Sequence, residues 1–222
     1  MATSNSKTKT AEAEKPAYSA RVRYTREKAE KYQHRSPAKD RKEMRVIERA
    51  FKLIPPGRVL DAPCGGGRVA RFLAGKGYTM TCGDLSEGMI EVAREKMAEE
   101  KLDIPVDRQD LEKLTYGDRH FDAAVCFRVF HHFPNREIRG RVVHELCRVS
   151  ARHVAISYVS PISLTAWKRR IRKTLLKKPS SKHATSLKEV EGYFETEGFR
   201  LVQDFAQSPV ISSLHLAVFE RK

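Results

Sequence analysis

The chain has 222 residues, 40% hydrophobic and 32% charged, with a formal net charge of +15; this fits one globular domain with an extension and excludes collagen, coiled coil and wholesale disorder. No run approaches the roughly 18 apolar residues of a spanning helix, and residues 1–16 lack the apolar centre of a signal peptide, so a soluble, cytoplasmic protein is expected. The charge is local: residues 1–57 hold 15 Lys/Arg against 7 Asp/Glu, and residues 165–190 hold 9 against 1. Two such segments favour a polyanionic partner, whether nucleic acid, an anionic membrane surface or a phosphorylated substrate.

Residues 1–16 have almost nothing to bury and are expected to form a disordered tail. From Tyr18 to Ile54 the composition turns helical, with Val46, Ile47, Ala50, Phe51 and Ile54 on one helix face. Ser36-Pro37 divides this segment into two helices, because the proline ring disfavours a helical residue before it, and Pro55-Pro56-Gly57 ends it.

A strict alternation follows. Strands are predicted at Arg58–Ala62, Tyr78–Gly83, Pro105–Arg108, Phe121–Phe127 and His153–Val159, and helices at Arg68–Ala74, Ser86–Glu100 and Arg136–Val149. Strands alternating with helices of this length mean βαβ units and a parallel sheet covered on both faces, a doubly wound α/β domain. The C-terminus departs from that rhythm: a helix at Ser186–Glu197 is followed by two strands, Phe199–Ala206 and Ser212–Glu220, close enough in sequence to pair antiparallel. Cys64, Cys82, Cys126 and Cys147 have no CxxC spacing, so reduced thiols are expected, with neither disulfides nor metal ligands.

Chemistry concentrates in Val59-Leu60-Asp61-Ala62-Pro63-Cys64-Gly65-Gly66-Gly67-Arg68, a strand running through a glycine turn into a helix. Glycine lets a ligand approach the backbone closely and supplies unusual φ, and the amide groups of such a turn suit a polar cofactor. Gly65-x-Gly67-x-x-Ala70, with Asp84 at the end of the second strand, also satisfies a dinucleotide-binding pattern. Against a nicotinamide dinucleotide stands Asp61, which would face a diphosphate unfavourably but could pair with an ammonium group, and no second nucleotide-binding half is recognisable.

These residues, with Gly83-Asp84-Leu85-Ser86-Glu87-Gly88-Met89, Gln109-Asp110-Leu111, Phe121-Asp122-Ala123-Ala124-Val125 and Phe130-His131-His132-Phe133, resemble the ordered motifs of class I S-adenosylmethionine-dependent methyltransferases, most similar to the group acting on small molecules and lipid-like substrates. The resemblance runs from about Pro55 to Val159. It implies a seven-stranded Rossmann-like sheet with an antiparallel last strand, an N-terminal helical cap over residues 17–57 and a methyltransferase domain over 58–222 that carries a basic insertion at 160–185. It further implies S-adenosyl-L-methionine as cofactor, with Gly65 and Gly67 near its methionine part, Asp61 near its ammonium end, Asp84 and Leu85 at the ribose, Asp110 and Leu111 at the adenine, and Phe127 beside it. Pro63 stands where the family more often has a glycine and can be neither a donor nor a positive-φ residue. Asp122 is read as a structural position and Arg68 as a solvated helix residue.

His131 and His132 follow the fourth strand on the carboxyl edge, where doubly wound sheets bind ligands. Either could deprotonate an acceptor hydroxyl; the other reading is that they only pack. The expected acceptor is an oxygen or nitrogen of a small or lipid-linked molecule, with an RNA methyltransferase, or a catalytically silent protein that keeps the cofactor fold, as alternatives. Leu164, Trp167, Ile171 and Leu175 recur at helical spacing among basic residues, so residues 164–178 are expected to form either a peripheral contact with the cytoplasmic face of an anionic membrane or a lid over the active site.

Overall fold

The computed structural model describes residues 18, 24–33, 36–162, 183–208 and 213–222. The basic helix expected at 164–178, the tail expected over residues 1–16 and the turn at Pro209 lie outside the described residues.

Seven strands form one sheet: β1 (Arg58–Asp61), β2 (Thr79–Asp84), β3 (Val106–Arg108), β4 (Phe121–Cys126), β5 (Ser150–Val159), β6 (Phe199–Ala206) and β7 (Leu214–Arg221), in the order β3-β2-β1-β4-β5-β7-β6. β3, β2, β1, β4 and β5 run parallel, whereas β7 pairs antiparallel with both β5 and β6. The helices are α1 (Arg26–Gln33), α2 (Pro37–Phe51), α3 (Arg68–Ala74), α4 (Glu87–Glu99), α5 (Arg136–Val149) and α6 (Leu187–Thr196). β5 begins at Ser150, three residues earlier than the apolar run at His153 suggests, because it leaves α5 without a loop and its first residue already pairs with Phe121. Among the described residues no helix is long and apolar enough to cross a membrane.

Both sheet faces are covered, so the central strands are apolar on both sides. On one face Val59, Ala123, Val125, Ala155 and Val218 meet α2, α3 and α4. On the other, Leu60, Ala124, Val154, Ile156 and Phe219 meet α5 and α6. α2 is more than a cap: Val46, Ile47, Ala50 and Phe51, at most 3% exposed, join the first core, and the helix lies over β6 and β7. All four cysteines are buried and free.

α1 reaches the domain through one seam on α4. Ser86, the N-cap residue of α4, makes no side-chain cap bond; its hydroxyl instead accepts from Tyr24 N–H at 2.9 Å and donates to Tyr24 C=O at 3.1 Å. Beside it, a Cβ on Gly88 would sit 2.5 Å from the Tyr24 carbonyl oxygen and 2.7 Å from the Arg26 nitrogen. Backbone cannot yield there as a side chain can, so we expect Gly88→Ala to undock α1 and to cost about 1–3 kcal/mol. Hydrogen exchange should then show fast amides in 26–33 with slow ones retained in β1 and β4; unchanged protection in α1 would refute the seam.

Candidate active site

The strand order reverses between β1 and β4. The chain leaving β1 turns to α3 on one face, and the chain leaving β4 turns to the 3-10 turn Phe130–His132 and α5 on the other. This opens a crevice at the carboxyl edge, and the glycine turn of residues 62–67 lies in it.

Gly65 and Gly67 both have positive φ, +53° and +71°, but for different reasons. A Cβ on Gly65 would meet nothing within 4 Å, so the turn presents bare backbone to open space; a Cβ on Gly67 would lie 2.4 Å from Met97 Cε of α4. Gly67 thus also lies against α4, at the N-cap of α3. The Ala62–Pro63 peptide is cis, and the turn closes by Cys64 N–H donating to Gly83 C=O at 2.9 Å and Gly67 N–H to Cys64 C=O at 3.0 Å.

Asp84, at the end of β2, is 8% exposed. Its Oδ2 accepts from Gly65 N–H and its Oδ1 from Ser86 N–H, each at 2.9 Å. Burial pushes its carboxyl upward, opposed by these backbone bonds. Each oxygen keeps a further lone pair, so the carboxylate can still accept from two ligand hydroxyls. Asp110 follows β3; its Oδ1 accepts from Glu112 N–H at 3.0 Å. Gln109, which sequence reasoning passed over, sets that turn: it donates from Nε2 to Thr115 Oγ1 at 2.7 Å and accepts from Thr115 N–H at 3.0 Å.

Asp84, Leu85, Asp110 and Leu111 come together in one cleft with Tyr18 and Phe133. Asp84 and Asp110 beside the apolar Leu85, Leu111, Val129 and Phe133, with Glu112 engaged by Tyr18, suit a nucleoside: the acids can take hydroxyl and amine hydrogens, and the leucines can cover ring faces. Tyr18, from the N-terminal segment, closes one side. Its hydroxyl donates to Glu112 and its ring meets Phe133 edge-on at 6.1 Å, while Arg141 grips the other Glu112 oxygen at 2.6 and 3.0 Å.

The remaining expected residues lie outside this lining. Asp61 is enclosed beneath the turn at 1% exposure, its Oδ2 accepting from Ala70 N–H at 3.2 Å, so it ties β1 to α3. Phe127 is 6% exposed and belongs to the core below α3, with the Arg68 guanidinium 5.9 Å from its ring centre. His131 is 2% exposed, its carbonyl accepting from His183 N–H at 2.8 Å, while His132 is half-buried with its ring 4.3 Å from that of His131. Asp122 accepts from Arg58 N–H at 2.7 Å, a structural bond far from the cleft. Arg68 is not solvated as expected: its guanidinium bonds Asp40 at 2.5 Å and Glu43 at 2.7 Å, both on α2.

Burial pushes Asp61 up to about 8. An unfolded aspartate ionises near 3.9, so between about pH 4 and pH 8 the folded state binds the additional proton. The stabilisation is complete below pH 4 and is lost as pH rises toward 8. Melting temperature should therefore fall from pH 5 to pH 8 in the wild type and fall less steeply in Asp61→Asn; equal slopes would contradict the buried, protonated carboxyl.

Residues 59–153 match the family described as "Methyltransferase domain". The chain is 38% identical over 77 residues to the ubiquinone biosynthesis O-methyltransferase of Coxiella burnetii, covering 35% of this chain and 33% of that protein. An uncharacterized methyltransferase of Schizosaccharomyces pombe is 33% identical over 99 residues, covering 45% of this chain and 64% of that one. The chain thus spans a third to two thirds of the length of these relatives. Among solved structures, magnesium protoporphyrin IX methyltransferase of Synechocystis PCC 6803 with bound SAH superposes with a TM-score of 0.71 at 20% identity, over 82% of this chain and 84% of that one. The matched segment holds the glycine turn, the cleft carboxylates and the parallel strands up to the start of β5, and so this part of the chain is similar to a methyltransferase domain, on a fold shared with that solved structure.

Proposed function

We propose that the protein is an S-adenosylmethionine-dependent methyltransferase acting on an oxygen or nitrogen of a small or lipid-linked acceptor. The observation that carries this is the convergence of Asp84, Leu85, Asp110 and Leu111 in one cleft beside the open backbone of Gly65. When bound, the cofactor supplies an electrophilic methyl group on sulfonium. The chain's own part is to bind and align. Asp84 accepts from the two ribose hydroxyls, Asp110 and Leu111 hold the adenine, and the turn at Gly65 admits the methionine part.

Alignment of donor and acceptor can itself supply several kcal/mol of the barrier, so a nucleophilic acceptor needs little help from acid or base. Where a proton must leave, His132 has the exposure to take it, and His131 is enclosed. One relative is named for ubiquinone biosynthesis and one structural neighbour for magnesium protoporphyrin IX, which supports a small-molecule acceptor. The basic residues of 164–178 support placing that acceptor at an anionic membrane surface.

Calorimetry should give saturable binding of S-adenosylhomocysteine and none of NAD; the reverse would overturn the cofactor. Methyl-labelled cofactor, incubated with cell extract fractionated into lipid, small-molecule, RNA and protein pools, should then label the first or second. Label in RNA would replace this acceptor class with nucleic acid.

A further inference from the structure

Glu43 is a charged residue with 0% exposure on the apolar side of α2. Its carboxylate lies between two guanidiniums: Oε2 accepts from Arg68 Nη2 at 2.7 Å and Oε1 from Arg128 Nη1. Asp40, one turn earlier, holds the other Arg68 nitrogen at 2.5 Å. Arg68 is the first residue of α3, just past the glycine turn, and Arg128 lies two residues beyond the end of β4. The two arginines thus flank the crevice between β1 and β4.

Arg128 is held in an unusual way. Its φ is +68°, a region that non-glycine residues seldom enter and that collects at functional sites. Its N–H donates at 2.5 Å to the hydroxyl of Ser157, a fully buried residue of β5. The Nε–H of Arg128 is buried and has no acceptor among the described residues. A buried ion network is a poor source of stability compared with apolar packing, because desolvating each charge is costly. Its effect here is to fix the position of a guanidinium that keeps donors to spare.

Given the cofactor reading above, on which this inference rests, the only carboxylate of that ligand is on its amino-acid end, and the bare backbone of Gly65 admits that end to the same crevice. We propose that Arg128 binds the cofactor carboxylate and that Glu43 is a positioning residue, holding Arg128 and Arg68 in place from the N-terminal helical segment. Cofactor affinity is thereby tied to the docking of α2.

Two ligands separate this from a structural role: S-adenosylhomocysteine, and 5′-methylthioadenosine, which keeps the nucleoside and lacks the amino-acid end. Calorimetry on wild type, Glu43→Gln and Arg128→Gln should show S-adenosylhomocysteine weakened about tenfold or more in both variants, with methylthioadenosine within about twofold of wild type. Arg128→Lys should recover part of the loss, since it keeps the charge but not the fork. Parallel weakening of both ligands would mean a merely structural network and overturn the proposal, as would unchanged affinity for S-adenosylhomocysteine. Should Glu43→Gln fail to fold, Arg128→Gln reads the same ratio with Glu43 still paired to Arg68. Failure of the wild type to bind either ligand would remove the cofactor reading first, and this inference with it.

Discussion

Asp84→Ala should lower affinity for S-adenosylhomocysteine by roughly 100-fold, about 3 kcal/mol. The carboxylate makes two kinds of bond at once. It accepts Gly65 N–H and Ser86 N–H, each at 2.9 Å, and its spare lone pairs face the cleft. Alanine removes the acceptor for the ligand hydroxyls and also releases the glycine turn from the end of β2. Asp84→Asn distinguishes the two effects. The amide retains one acceptor oxygen for a single backbone N–H and turns the other position into a donor, so the turn stays partly tethered while one ligand hydroxyl loses its partner; a loss of about tenfold is expected. Calorimetry on the three proteins, with melting curves as the control for folding, tests this. If alanine and asparagine were both neutral, Asp84 would be only a turn former at the start of α4, and the ribose assignment would fall.

How much of this was legible in the sequence follows from how local each signal is. The parallel sheet could be read because its strands are short apolar runs separated by helices, and the antiparallel β6–β7 pair because its connection is too short for a crossover. The cleft carboxylates could be read as well: Asp84 stands where an apolar strand ends at the carboxyl edge and Asp110 just past the short β3, positions that the alternation of strands and helices defines. What stayed hidden depends on residues far apart in the chain. Tyr18 meets Glu112 across 94 positions and Glu43 meets Arg128 across 85, and no periodicity marks such pairs. One trace was present, since Glu43 continues the stripe of Val46, Ile47 and Ala50 at helical spacing, and a charge on an apolar stripe implies a buried partner. The burial of Phe127 was not legible because a strand end offers two faces, and only the packing of α3 shows that its ring joins the core. His131 and His132 adjoin in sequence, yet one is enclosed and the other half-buried, a difference set by the 3-10 turn that holds them.

The two glycines of the turn should part company under substitution. Both occupy positive φ, so any side chain costs roughly 1–2 kcal/mol of backbone strain at either position. Beyond that common cost the surroundings differ. At Gly65 the new side chain enters open space in the crevice, so Gly65→Val should lose only that strain in stability, a melting decrease of a few degrees, while abolishing measurable binding of S-adenosylhomocysteine. At Gly67 a single methyl group already lies 2.4 Å from Met97 Cε. Met97 Cε is the free end of a flexible side chain that can turn aside, so Gly67→Ala should add no more than about 1 kcal/mol of repacking to that strain and lower the melting temperature slightly further. Its ligand affinity should change less than that of Gly65→Val, because the clash falls between α3 and α4. Replacing Met97 as well makes the distinction sharper. In Gly67→Ala/Met97→Ala the offending methyl is gone, so the double variant should be more stable than the sum of the single changes implies, a coupling of the size expected for residues in contact. Strict additivity would show that Met97 is not what Gly67 accommodates. Wild-type affinity in Gly65→Val would show that the turn does not face the ligand, and would remove the ground for placing the cofactor's amino-acid end against it.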